Sequence, residues 1–364
     1  MRAQVFLIAL IALVVSPTVA CGGAVDRAGS SPADGASEVS SDDSPFDTAT
    51  DSWDDAPATD ATFLDANDSS DARDASRWEE LAPPASASGH ATFGSIAGHG
   101  DDDVLLGALE PTDSGAPLEE LVAWDGHVLR DLARAGSATR GYPFLCATSS
   151  GYWSYDAAPS ALLQRVAAGV ATAVTTLPSG QTPIGCAPHA LWTSSLDGHL
   201  FRQLDGDGDV FRAVEASSPL PPRTLFAAQD DDVWIAADHG QMARWTAGVW
   251  TRFAAPYGYV PTLTGTAVDD VWVATPAGAA DQWDGTGMRD HSVPSPAPAS
   301  KTWSFAAASK TEAWALFDET LWRWNGATWS TETPPASPGE TMRALWVSSS
   351  YVWVVGERVW RRMR

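Results

Sequence analysis

The sequence predicts an all-β fold: a seven-bladed β-propeller over residues 77–364, preceded by a signal peptide (1–20) and a disordered acidic linker (21–76). Three observations predict it. A short motif that usually ends in Trp returns seven times, a glycine-containing turn follows most copies, and the chain holds 18 Trp against 6 Tyr. The copies are about forty residues apart, which is typical of propeller blades.

The start of the chain has the pattern of an export signal. Residues 5–15 form an unbroken apolar run, which is too short to cross a bilayer as a helix. The small residues that follow end in Cys21 and resemble a bacterial lipoprotein lipobox, although Thr18 stands where that motif usually has Leu. This predicts a lipid on Cys21 that anchors the protein in a membrane. The alternative is ordinary cleavage after Ala20, which leaves Cys21 as a free thiol.

The residue after Cys21 bears on the destination of a lipidated protein. Gly22 stands there rather than Asp. By resemblance to lipoprotein sorting in double-membraned bacteria, this favours the outer membrane or the cell surface. A soluble secreted or periplasmic protein is the alternative.

The acidic charge is concentrated in the linker. Residues 24–76 hold 14 acidic and 2 basic side chains, which is −12 of a total net charge of −24. Low hydrophobicity with high net charge cannot repay the entropy of folding, so we expect a disordered spacer, with an acidic interaction tail as the alternative. The charge also argues against nucleic acid and anionic membrane surfaces as direct partners, because both repel an acidic protein.

Two markers define each repeat. The first is an acidic turn followed by Val-Trp, as in Asp-Asp-Val-Trp at residues 231–234 and 269–272. Its seven copies centre on Leu105, Trp153, Trp192, Trp234, Trp272, Trp314 and Trp353. The second is a tight turn, usually Trp followed by Asp-Gly or Asn-Gly, which are strong hairpin signals. Residues 161–170 lack this signature.

The markers divide each unit into four antiparallel strands, named a to d in chain order. Strand b is apolar at consecutive positions, which is typical of a strand buried on both faces. The tryptophans are then expected to be wedges between blades, with carbohydrate stacking as the alternative role.

These repeats resemble the tryptophan-rich β-propeller units of bacterial surface proteins. They are close to the sensor-type propeller repeats found ahead of signalling domains and more distant from kelch repeats, whose diglycine is absent. The resemblance covers residues 77–364. It implies the fold and no particular activity, because propellers host many unrelated activities.

The two ends of the repeat region predict how the ring closes. The seventh unit lacks strand d, and residues 77–81 resemble one. We expect this N-terminal strand to complete the seventh blade, with Glu79 and Glu80 facing Arg361 and Arg362.

Catalytic groups are not evident. Propeller enzymes usually place acids, bases or metals around the central channel, which strand a lines. Delimited from the markers, as in residues 224–227 and 344–347, these strands contain no acid, base or His. The seven His are scattered without zinc spacing, and no Gly-x-Ser-x-Gly occurs. We therefore expect a protein that is not an enzyme and has no cofactor.

One turn carries alternating acids. Asp205, Asp207 and Asp209 match the start of a calcium loop, but Val210 and Ala216 stand where Gly and Glu belong. We expect a solvated acidic turn rather than a metal site, and calcium is the alternative.

Cys146 and Cys186 lie at equivalent ends of strand a in consecutive blades. In an oxidising compartment they are a possible disulfide. Two buried free thiols are the alternative, and the sequence leaves both open.

The loops predict which side of the disc binds. The turns between strands a and b and between c and d lie on one side, here called the turn face. The crossing face carries the b–c loops and the d–a crossings, and every crossing contains proline, which lowers the entropy lost on binding. The recognition residues expected there are Arg140, Tyr142, Asp238, His239, Tyr257, Tyr259 and Lys301. The alternative is that the prolines only stiffen the crossings.

Together these features predict a monomeric, non-catalytic cell-envelope lipoprotein that presents a propeller to an unknown protein or glycan ligand. One alternative is an enzyme acting on extracellular polysaccharide or peptide. Another is an extracytoplasmic sensor with a separate signalling partner.

Overall fold

A computed structural model describes most of the repeat region. The described residues are 77–84, 91–113, 117–135, 142–156, 162–174, 177, 180–195, 197–208, 210–214, 218, 220–237, 240–254, 262–294, 303–337 and 339–364. They form seven four-stranded antiparallel sheets, so the predicted seven-bladed β-propeller is confirmed. The signal peptide, Cys21 and the acidic linker lie outside the described residues. No helix among the described residues has the length and apolar character needed to cross a membrane.

The strands follow the chain in order, beginning with β1, Glu79–Leu81. Blade 1 contains β2 Thr92–Gly100, β3 Asp103–Glu110, β4 Leu118–Trp124 and β5 Leu129–Ala135. Blade 2 contains β6 Phe144–Thr148, β7 Gly151–Tyr155, β8 Leu163–Ala167 and β9 Val170–Ala173. Blade 3 contains β10 Gln181–Ala187, β11 Ala190–Ser195, β12 Leu200–Leu204 and β13 Arg212–Ala213.

The remaining blades repeat this order. Blade 4 contains β14 Pro222–Gln229, β15 Asp232–Ala237, β16 Gln241–Thr246 and β17 Val249–Ala254. Blade 5 contains β18 Thr262–Ala267, β19 Asp270–Ala274, β20 Ala280–Trp283 and β21 Met288–Asp290. Blade 6 contains β22 Trp303–Ser309, β23 Glu312–Phe317, β24 Thr320–Trp324 and β25 Trp329–Glu332. Blade 7 contains β26 Met342–Val347, β27 Tyr351–Gly356 and β28 Val359–Met363, with β1 in its fourth position.

The core lies between blades. The six strand-b tryptophans are at most 1% exposed and pack toward the following blade. Trp353 of blade 7, for example, meets Trp124 of blade 1 with ring centroids 6.0 Å apart. This burial leaves these six rings inaccessible to a carbohydrate, so they act as wedges.

The N-terminal strand pairs antiparallel with β28, with Glu79 opposite Arg361 and Glu80 opposite Trp360. Glu79 Oε2 accepts a hydrogen bond from Arg361 Nε at 2.8 Å, as expected. The expected contact between Glu80 and Arg362 is wrong. Successive side chains in a strand point to opposite faces, so Glu80 pairs with Arg358 at 2.9 Å and Arg362 with Glu332 of blade 6 at 3.2 Å.

Candidate functional site

The crossing face is described at only one of its expected recognition residues. Tyr142 lies just before β6 and is half-buried. The other six lie outside the described residues: Arg140, Asp238, His239, Tyr257, Tyr259 and Lys301. On the crossing face, the described contacts are therefore those of Tyr142 and its neighbours.

Tyr142 lies against β2, the first strand of blade 1. Its hydroxyl is 2.9 Å from Thr92 Oγ1, at the start of β2. A Cβ at Gly94 would stand 2.3 Å from the Tyr142 ring, so the ring packs directly on the β2 backbone. Gly94 is also the extra residue of a β-bulge, since Phe93 pairs with Ala108 and Ser95 with Gly107. Only glycine fits this contact.

A cation completes the cluster. The guanidinium of Arg343, the second residue of β26, lies 5.4 Å from the Tyr142 ring centroid. Arg343 is again the extra residue of a strand-a bulge, because Met342 pairs with Gly356 and Ala344 with Val355. Its Nε is buried without a hydrogen-bond partner in the described part of the chain. We call Thr92, Gly94, Tyr142 and Arg343 the tyrosine–arginine cluster.

The cluster corrects the expectation that the channel-lining strands lack ionisable groups. The observed strands a are longer than the marker spacing suggests, and they include His99, Arg223 and Arg343. Arg223 occupies the bulge of blade 4, the position that Arg343 occupies in blade 7. Sequence reasoning missed both arginines because a bulge adds a residue to the strand, and no spacing rule counts it.

Arginine cannot act as a general base, since its guanidinium stays protonated in proteins. The tyrosine–arginine cluster can therefore hold an anion beside a flat apolar surface, which is a binding role. His99 lies at the other end of its strand and is bonded on both ring nitrogens, to Asp103 Oδ2 at 2.9 Å and to the Thr148 carbonyl at 2.5 Å.

On the turn face, hydrogen bonds and ion pairs connect neighbouring blades. At least one polar contact crosses each of the seven blade interfaces there. The contacts, from blades 1–2 onward, are His99 to Thr148, Ser149 to Asp205, His189 to Asp230, Arg244 to Val268, Lys310 to Asp269, Arg364 to Glu312 and, from blade 7 back to blade 1, Ser350 to Asp101. Acidic residues of these turns, such as Asp101, Asp205 and Asp269, thus stabilise the contact between neighbouring blades.

The acidic turn that resembles a calcium loop, which begins at Asp205, also makes contacts within the protein. Asp205 accepts hydrogen bonds from Thr148 and Ser149 at 3.2 Å. Asp207 pairs instead with Arg212 at 3.0 Å, and Asp209 lies outside the described residues. Within the described ranges, no three His, Cys, Asp or Glu side chains are grouped to hold a metal ion.

A buried acid lies near the blade 1 b–c loop. Glu119 of β4 is 3% exposed, and burial together with the neighbouring Asp156 raises its pKa to about 7. Its Oε2 has no hydrogen-bond partner among the described residues. Two carboxyl groups this close cannot both ionise readily, so Glu119 keeps its proton close to neutral pH.

The structure joins Cys146 and Cys186 by a disulfide, with Cα atoms 5.7 Å apart. Both residues lie in strand a, one blade apart, where neighbouring blades converge toward the channel. The bridge therefore connects blades 2 and 3.

Comparison with known proteins supports the fold alone. No protein-family model matches the chain, and no curated protein sequence matches it. Several solved structures are similar in fold. One is an inactive variant of virginiamycin B lyase from Staphylococcus aureus with quinupristin, which is 14% identical in sequence with a TM-score of 0.55. The similarity covers 79% of this chain and 99% of that chain. YCF48 from Cyanidioschyzon merolae is also 14% identical at 0.55, covering 79% and 98%. U3-55K is 11% identical at 0.57, covering 79% and 98%.

Proposed function

We propose that this chain is an exported lipoprotein, held at the cell envelope through Cys21, whose propeller is a non-catalytic binding module. The observation that carries the binding role is the tyrosine–arginine cluster. It offers a guanidinium beside an aromatic ring at the crossing-face end of strand a, in a protein of net charge −24. A locally positive site on an acidic protein suits a ligand with an anionic group, such as an acidic glycan or a protein carboxylate.

The mixed functions of the structural neighbours are consistent with a propeller that serves as a binding module. One is a lyase, one has been solved bound to a D1 peptide, and both share only 12–14% of their residues with this chain. Because a propeller hosts enzymes and binding proteins alike, the choice depends on the site. A site built on arginine and tyrosine favours binding over acid–base chemistry.

Ring closure by the N-terminal strand is part of the proposal. What supports it is the pairing of Glu79–Leu81 with β28 and the ion pair between Glu79 and Arg361. Pairing with β1 covers the edge of β28 and completes blade 7, and the closed ring holds the crossing face rigid, which reduces the entropy lost on binding.

The test begins with a glycan and protein array probed with the purified full-length chain. Arg343→Gln keeps the size of the side chain and removes its charge, so it should weaken binding of any anionic ligand about tenfold or more. Asp231→Asn is the matched control, because Asp231 is exposed on the turn face. Asp270 is unsuitable as a control, since it is fully buried and accepts hydrogen bonds from Trp272 and Gln282. Loss of binding in Asp231→Asn with full binding in Arg343→Gln would refute the assigned face.

A further inference from the structure

One of the seven gaps between blades lacks the residues that fill the others. Six gaps contain a strand-b tryptophan, and the gap between blades 1 and 2 has Leu105 at that position. The residue opposite on strand c is also small, because Leu105 pairs with Ala123. The equivalent partners elsewhere are Arg165, Arg202, Arg244, Gln282, Arg323 and Arg361.

The other gaps show what this position normally holds. In four blades the strand-c arginine lies over the tryptophan of its own blade, 5.3–5.9 Å from the ring centroid. In two of these, the acid two residues before the tryptophan binds the guanidinium: Asp232 with Arg244 at 2.8 Å and Glu312 with Arg323 at 3.1 Å. A flat ring, a planar cation and an acid form one complete unit in blades 4 and 6, and the ring and the cation recur without that acid in blades 2 and 7.

Blade 1 keeps the acid but lacks the strand-c cation, and Asp103 Oδ2 contacts His99 Nδ1 at 2.9 Å instead. Asp103 stands two residues before Leu105, where Asp232 stands before Trp234. The result is a cavity of about 280 Å³ between blades 1 and 2, on the turn face. Its apolar walls come from Leu105, Ala123, Leu132 and Val166, and the carboxylates of Asp102 and Asp103 lie at its edge.

Tyr152 of blade 2 fills part of the gap. Its hydroxyl donates to Asp103 Oδ1 at 2.7 Å, and its ring lies 4.4 Å from that of His99. The aligned residues of other blades, such as Val233 and Val271, are aliphatic. Tyr152 thus supplies an aromatic surface in the gap that lacks its tryptophan, and the space of the missing arginine stays open.

We propose that this cavity binds a guanidinium group, the side chain of an arginine presented by a partner peptide or protein. The group would lie against Ala123, Leu132 and the edge of Tyr152, with its charge directed to Asp102 and to the exposed carboxylate of Asp103, while Leu105 is fully buried behind them. In blades 2, 4, 6 and 7 the equivalent position already holds the guanidinium of a strand-c arginine beside the tryptophan. The site is on the turn face, so it does not depend on the tyrosine–arginine cluster.

The first experiment is titration of the full chain with N-acetyl-arginine methylamide, followed by NMR or calorimetry. A fragment of this size should bind with a dissociation constant of about 1 mM. The matched probe is N-acetyl-citrulline methylamide, which has nearly the same shape and no charge, and it should bind at least ~10-fold more weakly. Equal affinity for the two probes, or no binding of the arginine probe at about 10 mM, would overturn the proposal.

The second experiment fills the cavity from within. Leu105→Trp with Ala123→Arg restores the recurrent pair, and it should lower the affinity for the arginine probe at least ~10-fold. Undiminished binding in that variant would place the probe elsewhere and refute the site.

If the double variant does not fold, Asp102→Asn decides, because Asp102 is exposed and its loss should not unfold the chain. It should weaken the arginine probe about threefold or more, since one carboxylate is lost. Asp231→Asn, the same change at the aligned position of blade 4, should have no effect. Equal effects of the two changes would mean a general charge attraction and no site.

Discussion

Two neighbouring glutamates of the N-terminal strand should differ sharply in their contribution to stability. Glu79 and Glu80 are adjacent and almost equally exposed, at 48% and 47%. Their partners differ, because Arg361 is 8% exposed and Arg358 is 49% exposed. Arg358 also keeps Glu340 at 3.0 Å, so the comparison of Glu79→Ala with Glu80→Ala contrasts a buried guanidinium that loses its carboxylate with an exposed one that retains another.

The magnitude follows from what surrounds Arg361. Its guanidinium lies 4.6 Å from the ring centroid of Trp124, 4.8 Å from that of Tyr351 and 5.7 Å from that of Trp353. Removing the carboxylate at 2.8 Å leaves a buried charge with aromatic faces as its remaining support. Losing a charged hydrogen bond or one partner of a buried pair costs roughly 2–3 kcal/mol when the removed partner is half-exposed. The exposed Glu80 pair should cost about 0–1 kcal/mol.

The assay is urea unfolding of both variants and the wild type, followed by tryptophan fluorescence, with melting temperature as a second measure. Glu79→Ala should lower the melting temperature by about 4–10 °C, and Glu80→Ala by about 0–3 °C. Deleting residues 77–82 removes the whole strand and should lower it further. Equal losses for the two single variants would refute the effect of the burial of Arg361, and an unchanged melt for the deletion would refute closure of the ring by this strand.

Two further predictions concern buried groups and the N-terminus. Burial and the nearby Asp156 raise the pKa of Glu119 from 4.5 to about 7, so the folded chain keeps this proton to a higher pH than the unfolded chain does. The contribution of the Glu119 proton to the free energy of unfolding is therefore complete below pH 4.5 and is lost as the pH rises through 7. Urea unfolding across this range should show the wild type losing at most about 3 kcal/mol relative to Glu119→Gln. A difference between the two proteins that stays constant with pH would contradict this. Intact mass of the protein from a double-membraned host, without reduction, should show a lipid on Cys21 and about 2 Da lost to the bridge between Cys146 and Cys186. An unmodified Cys21, or two free thiols at the other positions, would exclude the corresponding modification.

The number of blades was predictable from the sequence because the Trp marker records a physical requirement that recurs. Each blade must fill a widening space against its neighbour, and a large apolar side chain at one position of strand b does so. Trp153, Trp192 and the later copies therefore reveal the period directly. The first copy keeps the spacing but has Leu105 in place of Trp. The sequence shows this exception, but it does not show the cavity that results.

The candidate sites depended on contacts between blades, which no spacing rule describes. Arg343 and Tyr142 come from distant parts of the chain, and a bulge in each of two strands brings them together. The cavity beside Leu105 exists because Ala123 pairs with it in register, and register is a property of the folded sheet. A sequence alone thus determined the repeat and its period, since those are local in the chain. The tertiary structure decided which exceptions to the repeat meet, since the side chains that fill or fail to fill each gap come from two different blades.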